Sequence, residues 1–534
     1  MSRFNRRASR TAAQSPVTTT GERTATFEGG AAFVRDARSD LFLLAVVNMV
    51  GQDTFYEKAG ARDDRFRGLV RQLAVEDPRW TAGLLGWLRG SANMRSAALV
   101  GAAEFVKARV DAGLDGHSRQ VVASVLQRPD EPGELLGYWA QSYGRRLPKP
   151  VKRGLADAVR RMYNGKALLK YDTASKGYRF GDVLNLVHAA PDPDKPWQGE
   201  LFRYALDRRH HPETAVAPAS DRTLTAHREL MALPVAERRA VVTGPDGAER
   251  LKAAGMTWEA LAGWLQGPMD AAAWEAVIPS MGLMALTRNL RNFDEAGVSD
   301  TVAAQVAARL ADPEEVRRSR QFPYRFLSAY RATPSLRWGH ALERALAAST
   351  ANIPALPGRT LVLVDTSASM TGRVSARSEI RHVDVGALFA VALAARGCEV
   401  DLVGFANSAF RHPLVRGGSV LRQADEFCAR VGEVGHGTET VAALKGTYAG
   451  HDRVVIVSDM QAFAYPGHSV RGLSVSEAVP AGVPLFGLNT SGYGPASIDT
   501  GKPNRYEVGG FSDQLFTLVD LLSRGRDTGW PWED

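Results

Sequence analysis

The sequence predicts a multidomain chain in which an all-α, HEAT-like helical solenoid is followed by an α/β domain with a doubly wound parallel sheet. Three observations carry that expectation. At 534 residues the chain is longer than one hydrophobic core supports. From about Phe33 to Leu346 apolar residues recur at helical spacing, with Pro and Gly between the segments and no alternating strand pattern. After Leu356, apolar runs of strand length alternate with helical stretches, as in a sheet covered on both faces. The expected boundaries are a disordered basic tail over 1–30, the helical part over 31–355 and the α/β domain over 356–534.

The opening segment, MSRFNRRASRTAAQSPVTTTGERTATFEGG, is rich in Arg, Ser and Thr and lacks the apolar stretch of a signal peptide. A transit peptide is the alternative that its composition leaves open. No run reaches the roughly 18 apolar residues of a membrane span, so a soluble, cytoplasmic protein is expected, with no membrane partner. Cys398 and Cys428 are the only cysteines, and neither has a CxxC neighbour, which argues against a disulfide framework or a zinc site.

Helices are expected over Asp40–Val50, Asp64–Val75, Pro78–Arg89, Met94–Ala112, Ser118–Leu126 and Pro132–Tyr143. Short connections between them suggest stacked antiparallel pairs of the HEAT or armadillo kind. No clean repeat is visible, so an irregular all-α domain is the alternative.

The next helix, KPVKRGLADAVRRMYN over Lys149–Asn164, has its proline where a first turn tolerates one. At 100° per residue Val151, Leu155, Ala158, Val159 and Met162 gather on one side, and Lys149, Lys152, Arg153 and Arg160 on the other. From Arg145 to Lys170 there are nine Lys/Arg and one acid, Asp157. A solvated face normally mixes charge signs, whereas a stripe nearly free of acids favours contact with phosphates. The chain-wide charge agrees. Residues 356–534 hold 16 Lys/Arg against 19 Asp/Glu, a balance of −3, so the net +8 leaves +11 on residues 1–355.

FGDVLNLVHAAP, Phe180–Pro191, is another helix pattern, and its His188, taken alone, is a helix-end residue rather than a ligand. In WEAVIPSMGLMALTRNLRNF, Trp274, Val277 and Ile278 read as core, with Pro279 opening a second helix that carries Leu283, Leu286 and Leu290. Arg288 and Arg291 lie off that stripe and suit either RNA or a solvated salt bridge.

In the α/β part, LVLVDTSASM ends an apolar strand at Asp365 and continues with hydroxyls at Ser367 and Ser369. Further on come Gly435-His436-Gly437-Thr438 and the strand RVVIV, Arg453–Val457, which runs into Ser458 and Asp459. A lone DxSxS is ordinarily just a hydrogen-bonded turn. Three oxygen-bearing segments in this order instead suit a hard divalent cation, Mg2+. The flanking pattern agrees, with a helix over Val383–Ala395, strands over Glu399–Phe405 and Pro484–Leu488, and a closing helix over Ser512–Leu522. A phosphoaspartate enzyme of the DxDxT type would need a second acid where Ser367 stands. Asp365, Ser367, Ser369, Thr438 and Asp459 together resemble the metal-ion-dependent adhesion site of a von Willebrand factor A domain.

Taken in order, LPKPVKRGLADAVRRMYN, KALLKY, FGDVLNLVHAAP, the Trp274–Phe293 segment and the metal-site motif resemble the Ro ribonucleoprotein family. There a TROVE domain of HEAT-like helices forms a ring that a von Willebrand factor A domain closes. The resemblance implies that single-stranded ends of misfolded RNAs enter a basic hole and that Y RNAs bind the outer surface. It places RNA contacts on Lys149, Arg153 and His188, while Lys152, Arg160 and Arg161 join them on charge alone. The segment between the basic helix and His188 is shorter than in animal members, and Lys152 is basic where the family is not. The implied function is a noncatalytic ribonucleoprotein in RNA quality control, with polynucleotide phosphorylase or another exoribonuclease as a partner tethered through the RNA. A metal-dependent protein-interaction adaptor is the reading from another class. A nuclease is disfavoured, because two-metal hydrolysis wants several carboxylates within about 4 Å and this cage has two acids.

Overall fold

The structure, a computed structural model, describes residues 12–48, 50–333, 335–376, 378–463, 473–512 and 515–533. It divides into two compact units. One is built from Met1–Leu69, Gln321–Tyr330 and Glu343–Asp534, the other from Val70–Arg320 and Arg331–Leu342. The helical unit is thus an insertion in the chain of the α/β unit. This corrects the expected boundary at residue 31.

The α/β unit opens with a hairpin, β1 (Thr19–Ala25) against β2 (Ala31–Arg35), antiparallel. Its sheet has six strands, β3 (Arg359–Asp365), β4 (Glu399–Phe405), β5 (Ala409–His412), β6 (Arg453–Ser458), β7 (Leu485–Asn489) and β8 (Arg505–Gly509), in the order β5-β4-β3-β6-β7-β8. All neighbours run parallel except β4 and β5. β3 and β6 lie in the middle, buried along almost their whole length, which is why their sequences are continuous apolar runs. Leu361, Leu363, Val403, Phe405, Leu444 and Ile456 share one core cluster. The helices at His382–Ala395 and Leu515–Ser523 fall where helical spacing puts them.

Two strands escape the sequence pattern. β5 is a four-residue edge strand. β8, RYEVG, carries two charged side chains that are nonetheless buried. Arg505 donates to the carbonyls of Ser476, Val479 and Val483, while Glu507 accepts from Arg35 and Asn489. A buried polar group is tolerated once it is paired, so a polar sequence need not mean an exposed strand.

The expected tail over 1–30 is also corrected. Residues 1–11 lie outside the described residues, but from 12 onward the segment is held at many points. Ala13 accepts from the Tyr506 hydroxyl at 3.1 Å, Thr19 donates to Asp499 at 2.7 Å, and Thr26 donates to the Ala462 carbonyl at 2.7 Å. Gly29 and Gly30 make the turn. A Cβ at Gly30 would sit 2.2 Å from the Ala462 oxygen, so no larger residue fits there. The helix expected at Asp40–Val50 is shorter, Ala37–Ala45, and that at Asp64–Val75 is longer, Ala59–Glu76.

In the helical unit the expected segments appear as Pro78–Gly90, Arg95–Asp111, Ser118–Val125, Glu131–Tyr143, Lys149–Met162 and Phe180–Val187. Pro279 does not open the helix after Val277. It sits in a single 3-10 turn, Ile278–Ser280, and the next helix, Leu283–Glu295, starts after Gly282. Arg320 donates to the Gly90 carbonyl at 3.1 Å and to Gln127 at 3.3 Å, so the end of this succession of helices returns to its beginning. Buried acids tie helices together. Glu131 accepts from Arg89, Arg95 and the backbone N–H groups of Gln127 and Arg128, and Glu104 from Arg71, Tyr138 and Tyr143.

Candidate functional site

The basic helix Lys149–Met162 follows Pro148 and has Pro150 in its first turn. Val151, Gly154, Leu155, Ala158 and Val159 are buried. A Cβ on Gly154 would lie 2.6 Å from Val122, so the helix packs tightly on Ser118–Val125. Lys149 and Arg153 are exposed on the far side and Lys152 is half-buried. Among the described residues none of these three side chains has a hydrogen bond or an ion pair. The one acid in the stretch is already taken, since Arg119 grips Asp157 at 2.6 and 2.8 Å and holds its carboxyl below the ordinary range. The stripe therefore presents cations with no counter-charge from its own helix.

The other two arginines are used differently. Arg161 donates to the carbonyls of Ala123 and Leu126, at the end of the helix Ser118–Val125, a common way of satisfying helix C-termini. Arg160 donates to the Ala190 carbonyl at 2.8 Å. That bond brings the turn containing His188 to the C-terminal end of the basic helix. His188 is exposed, in the left-handed conformation (φ 53°), and closes Phe180–Val187 with its N–H on Leu184. Lys149 is eleven residues before Arg160, about 16 Å along a helix, so Lys149 and the turn containing His188 lie toward opposite ends of the basic helix. Arg288 is exposed, whereas Arg291 pairs with Glu295 at 3.3 Å.

The oxygen cage is in the α/β unit, at the carboxyl ends of β3 and β6. Asp365, Ser367, Ser369, Thr438 and Asp459 are all buried. Ser367 donates its N–H to Asp365 Oδ1 at 2.8 Å, and the Ser367 and Ser369 hydroxyls lie 3.2 Å apart. Ser458 donates to Asp365 Oδ2 at 2.7 Å. The Thr438 loop is drawn in by the Ala368 N–H on the His436 carbonyl and by the Gly437 N–H on Asn407, with side chains at Gly435 and Gly437 excluded by Asn407. Asp459 Oδ1 accepts from the Gln461 N–H at 3.2 Å, but its Oδ2 is buried with no hydrogen-bond partner.

Burial raises both carboxyls well above their ordinary range, and the Asp365 charge raises Asp459 further. Two buried acids side by side, with hydroxyls around them and one oxygen left without a donor, suit a divalent cation, and every donor is a hard oxygen of the kind Mg2+ takes. Sequence reasoning missed two neighbours. Tyr56 donates its hydroxyl to Glu28 at 2.5 Å, and Glu28 sits in the turn whose Phe27 N–H donates to Gln461, two residues after Asp459. The signal was present in FEGGAAFV, a two-glycine turn between alternating residues.

The TROVE domain family model matches residues 248–339. That stretch contains the Trp274–Phe293 segment but neither the basic helix nor the cage. No curated protein matches the chain. Among solved structures, the crystal structure of the Deinococcus radiodurans Ro (RSR) protein is similar at a TM-score of 0.59 and 19% identity, covering 92% of this chain and 100% of that one. At that identity the likeness speaks to fold. In the described residues no helix is long and apolar enough to cross a membrane. The chain thus carries a TROVE-domain match within the fold of the Deinococcus Ro protein, a HEAT-like helical unit together with a von Willebrand factor A-like α/β unit.

Proposed function

We propose that this protein is a noncatalytic, Ro-type RNA-binding protein that holds a Y-like noncoding RNA and captures single-stranded ends of misfolded RNAs. In this reading it works as a ribonucleoprotein in RNA quality control and presents bound RNA to polynucleotide phosphorylase or another exoribonuclease. The observation that carries it is the unpaired stripe of Lys149, Lys152 and Arg153, beside an Asp157 already neutralised by Arg119. Cations without protein partners on a rigid helix are suited to phosphates, which fix position without reading sequence. The test is to sequence the nucleic acid that copurifies with the protein and then to titrate salt against a single-stranded RNA probe. A Y-like RNA and a steep loss of affinity with salt, about 0.7 per phosphate contact in log–log slope, are expected. Nucleic-acid-free protein with a flat salt response overturns the reading.

A second reading concerns the cage and adds to the first. Asp365, Ser367, Ser369, Thr438 and Asp459 would hold Mg2+, and the ion would supply an electrophilic point for an oxygen ligand. Asp459 Oδ2, buried without a donor, favours this. A partner protein offering a carboxylate would then dock there. Calorimetric titration with Mg2+ tests it, with no binding to Asp365→Ala as the expected control.

A further inference from the structure

The chain carries an acid of its own at the cage. Glu28 is in the turn between β1 and β2, and that turn is fixed on the segment directly after Asp459. Thr26 donates to the Ala462 carbonyl, the Phe27 N–H donates to Gln461 at 3.0 Å, and Gly29 bridges to Phe463. Gln461 in turn donates its N–H to Asp459. Tyr56 completes the link. Its hydroxyl donates to Glu28 at 2.5 Å, while its ring stacks on Phe27 at 5.1 Å and meets Tyr493 edge-on. The cage oxygens are buried, Glu28 and Tyr56 are half-buried, and Phe27 and Phe55 are exposed. Tyr56 and the 26–30 turn are thus the partly exposed neighbours of the segment that follows the buried Asp459.

We infer that Glu28, held by Tyr56, is an in-chain carboxylate cap on the metal site, facing the cation from the solvent side and competing with any external carboxylate. The inference rests on the cage being a Mg2+ site. The cap makes the site self-satisfied at rest. It neutralises part of the ion's charge, and a partner's acid must displace the 26–30 turn or the Glu28 side chain. The unpartnered Asp459 oxygen is the independent sign that a cation belongs inside, and the bonds of the 26–30 turn to Gln461 and Ala462, with Tyr56 on Glu28, hold a third acid beside it.

The test compares wild type, Glu28→Gln, Tyr56→Phe, Asp365→Ala and, as a surface control, Glu22→Gln on the exposed outer strand. Mg2+ affinity is read by calorimetry and acetate binding to the Mg2+-loaded protein by NMR titration, on samples with matched thermal melting. Glu28→Gln is expected to weaken Mg2+ several-fold and to strengthen acetate binding about tenfold. Tyr56→Phe, which frees Glu28 without removing its charge, should keep Mg2+ affinity and strengthen acetate binding, and Glu22→Gln should do neither. If wild type binds Mg2+ in a manner lost in Asp365→Ala, yet Glu28→Gln binds Mg2+ and acetate as wild type does, the cap is refuted and the metal site stands. If wild type binds no Mg2+, the metal site itself is refuted and the cap with it.

Discussion

The two units place their unpaired charge in opposite ways. In the helical unit the acids Glu104 and Glu131 are buried and saturated with arginine, tyrosine and backbone donors, while Lys149, Lys152 and Arg153 form a row of cations without side-chain partners. In the α/β unit the arginines Arg35 and Arg505 are buried and saturated, while an acid oxygen without a donor, Asp459 Oδ2, is buried. A surplus turned outward makes a diffuse field for a polyanion. A surplus turned inward makes a point for a cation. Each unit therefore suits a ligand of opposite sign, and the two should be separable by experiment.

The largest effect expected is on the saturated acid that organises the helical unit. Glu131→Ala leaves Arg89, the Arg95 Nε and two backbone N–H groups without their acceptor and should cost about 3–5 kcal/mol, read by chemical denaturation. A loss under about 1 kcal/mol would mean that these acids are not what holds the unit's helices together. Next comes acid sensitivity of the α/β unit. His382 is buried and burial, with Arg62 adding to it, presses its pKa down from 6.5 to about 4. Above pH 6.5 the ring is neutral folded or unfolded and contributes no slope. As pH falls from 6.5 to 4 the unfolded chain takes the proton and the folded one does not, so stability is lost, by about 3 kcal/mol at 1.36 kcal/mol per pKa unit. Subtracting the pH profile of His382→Gln from that of wild type isolates this loss, and parallel profiles would remove His382 from the account.

A smaller effect, about 2 kcal/mol or some thirtyfold in affinity, is expected for Lys149→Ala, Lys152→Ala and Arg153→Ala combined, measured by fluorescence anisotropy on single-stranded RNA. Melting should not change, because all three side chains lie opposite the buried stripe. Arg160→Ala and Arg161→Ala sharpen the point, since they should lower stability, through the lost carbonyl contacts, rather than RNA affinity alone. The smallest effect is the most telling. Asp365→Ala should leave RNA affinity within about threefold while Mg2+ binding disappears, and a loss beyond tenfold, about 1.4 kcal/mol, would show that the two ligands share one site or are coupled.

How much of this could be read from the sequence follows from where each residue finds its partners. β3 and β6 are buried on both faces, so their composition declares them, and the cage motif is legible because Asp365, Ser367 and Ser369 are adjacent on one strand end. The basic helix is legible because its partners and faces repeat every few residues. β8 and the β1–β2 hairpin are not, because Arg35 and Glu507 hide their burial in each other across 472 residues. Nor can charge pattern separate Arg161 from Arg153. The first finds carbonyls on a neighbouring helix and the second finds none, a distinction made only by packing. The FEGGAAFV turn that carries Glu28 is legible, but its place beside the cage is not, since it is held by Gln461 and Ala462, more than 430 positions away.

The discontinuity of the α/β unit has a consequence for synthesis. Arg35 leaves the ribosome 472 residues before Glu507, an interval of roughly 25–95 s at 5–20 residues per second. During that time the β1–β2 hairpin has no sheet to join, and a lone hairpin is marginal in water. The helical unit, whose contacts are mostly between nearby helices, is complete well before then. Completion of the α/β unit must therefore wait for β8, and a chain released before Arg505 carries a finished helical unit and an open, unpaired sheet edge. Translation that stops in that window yields a species primed for aggregation or proteolysis.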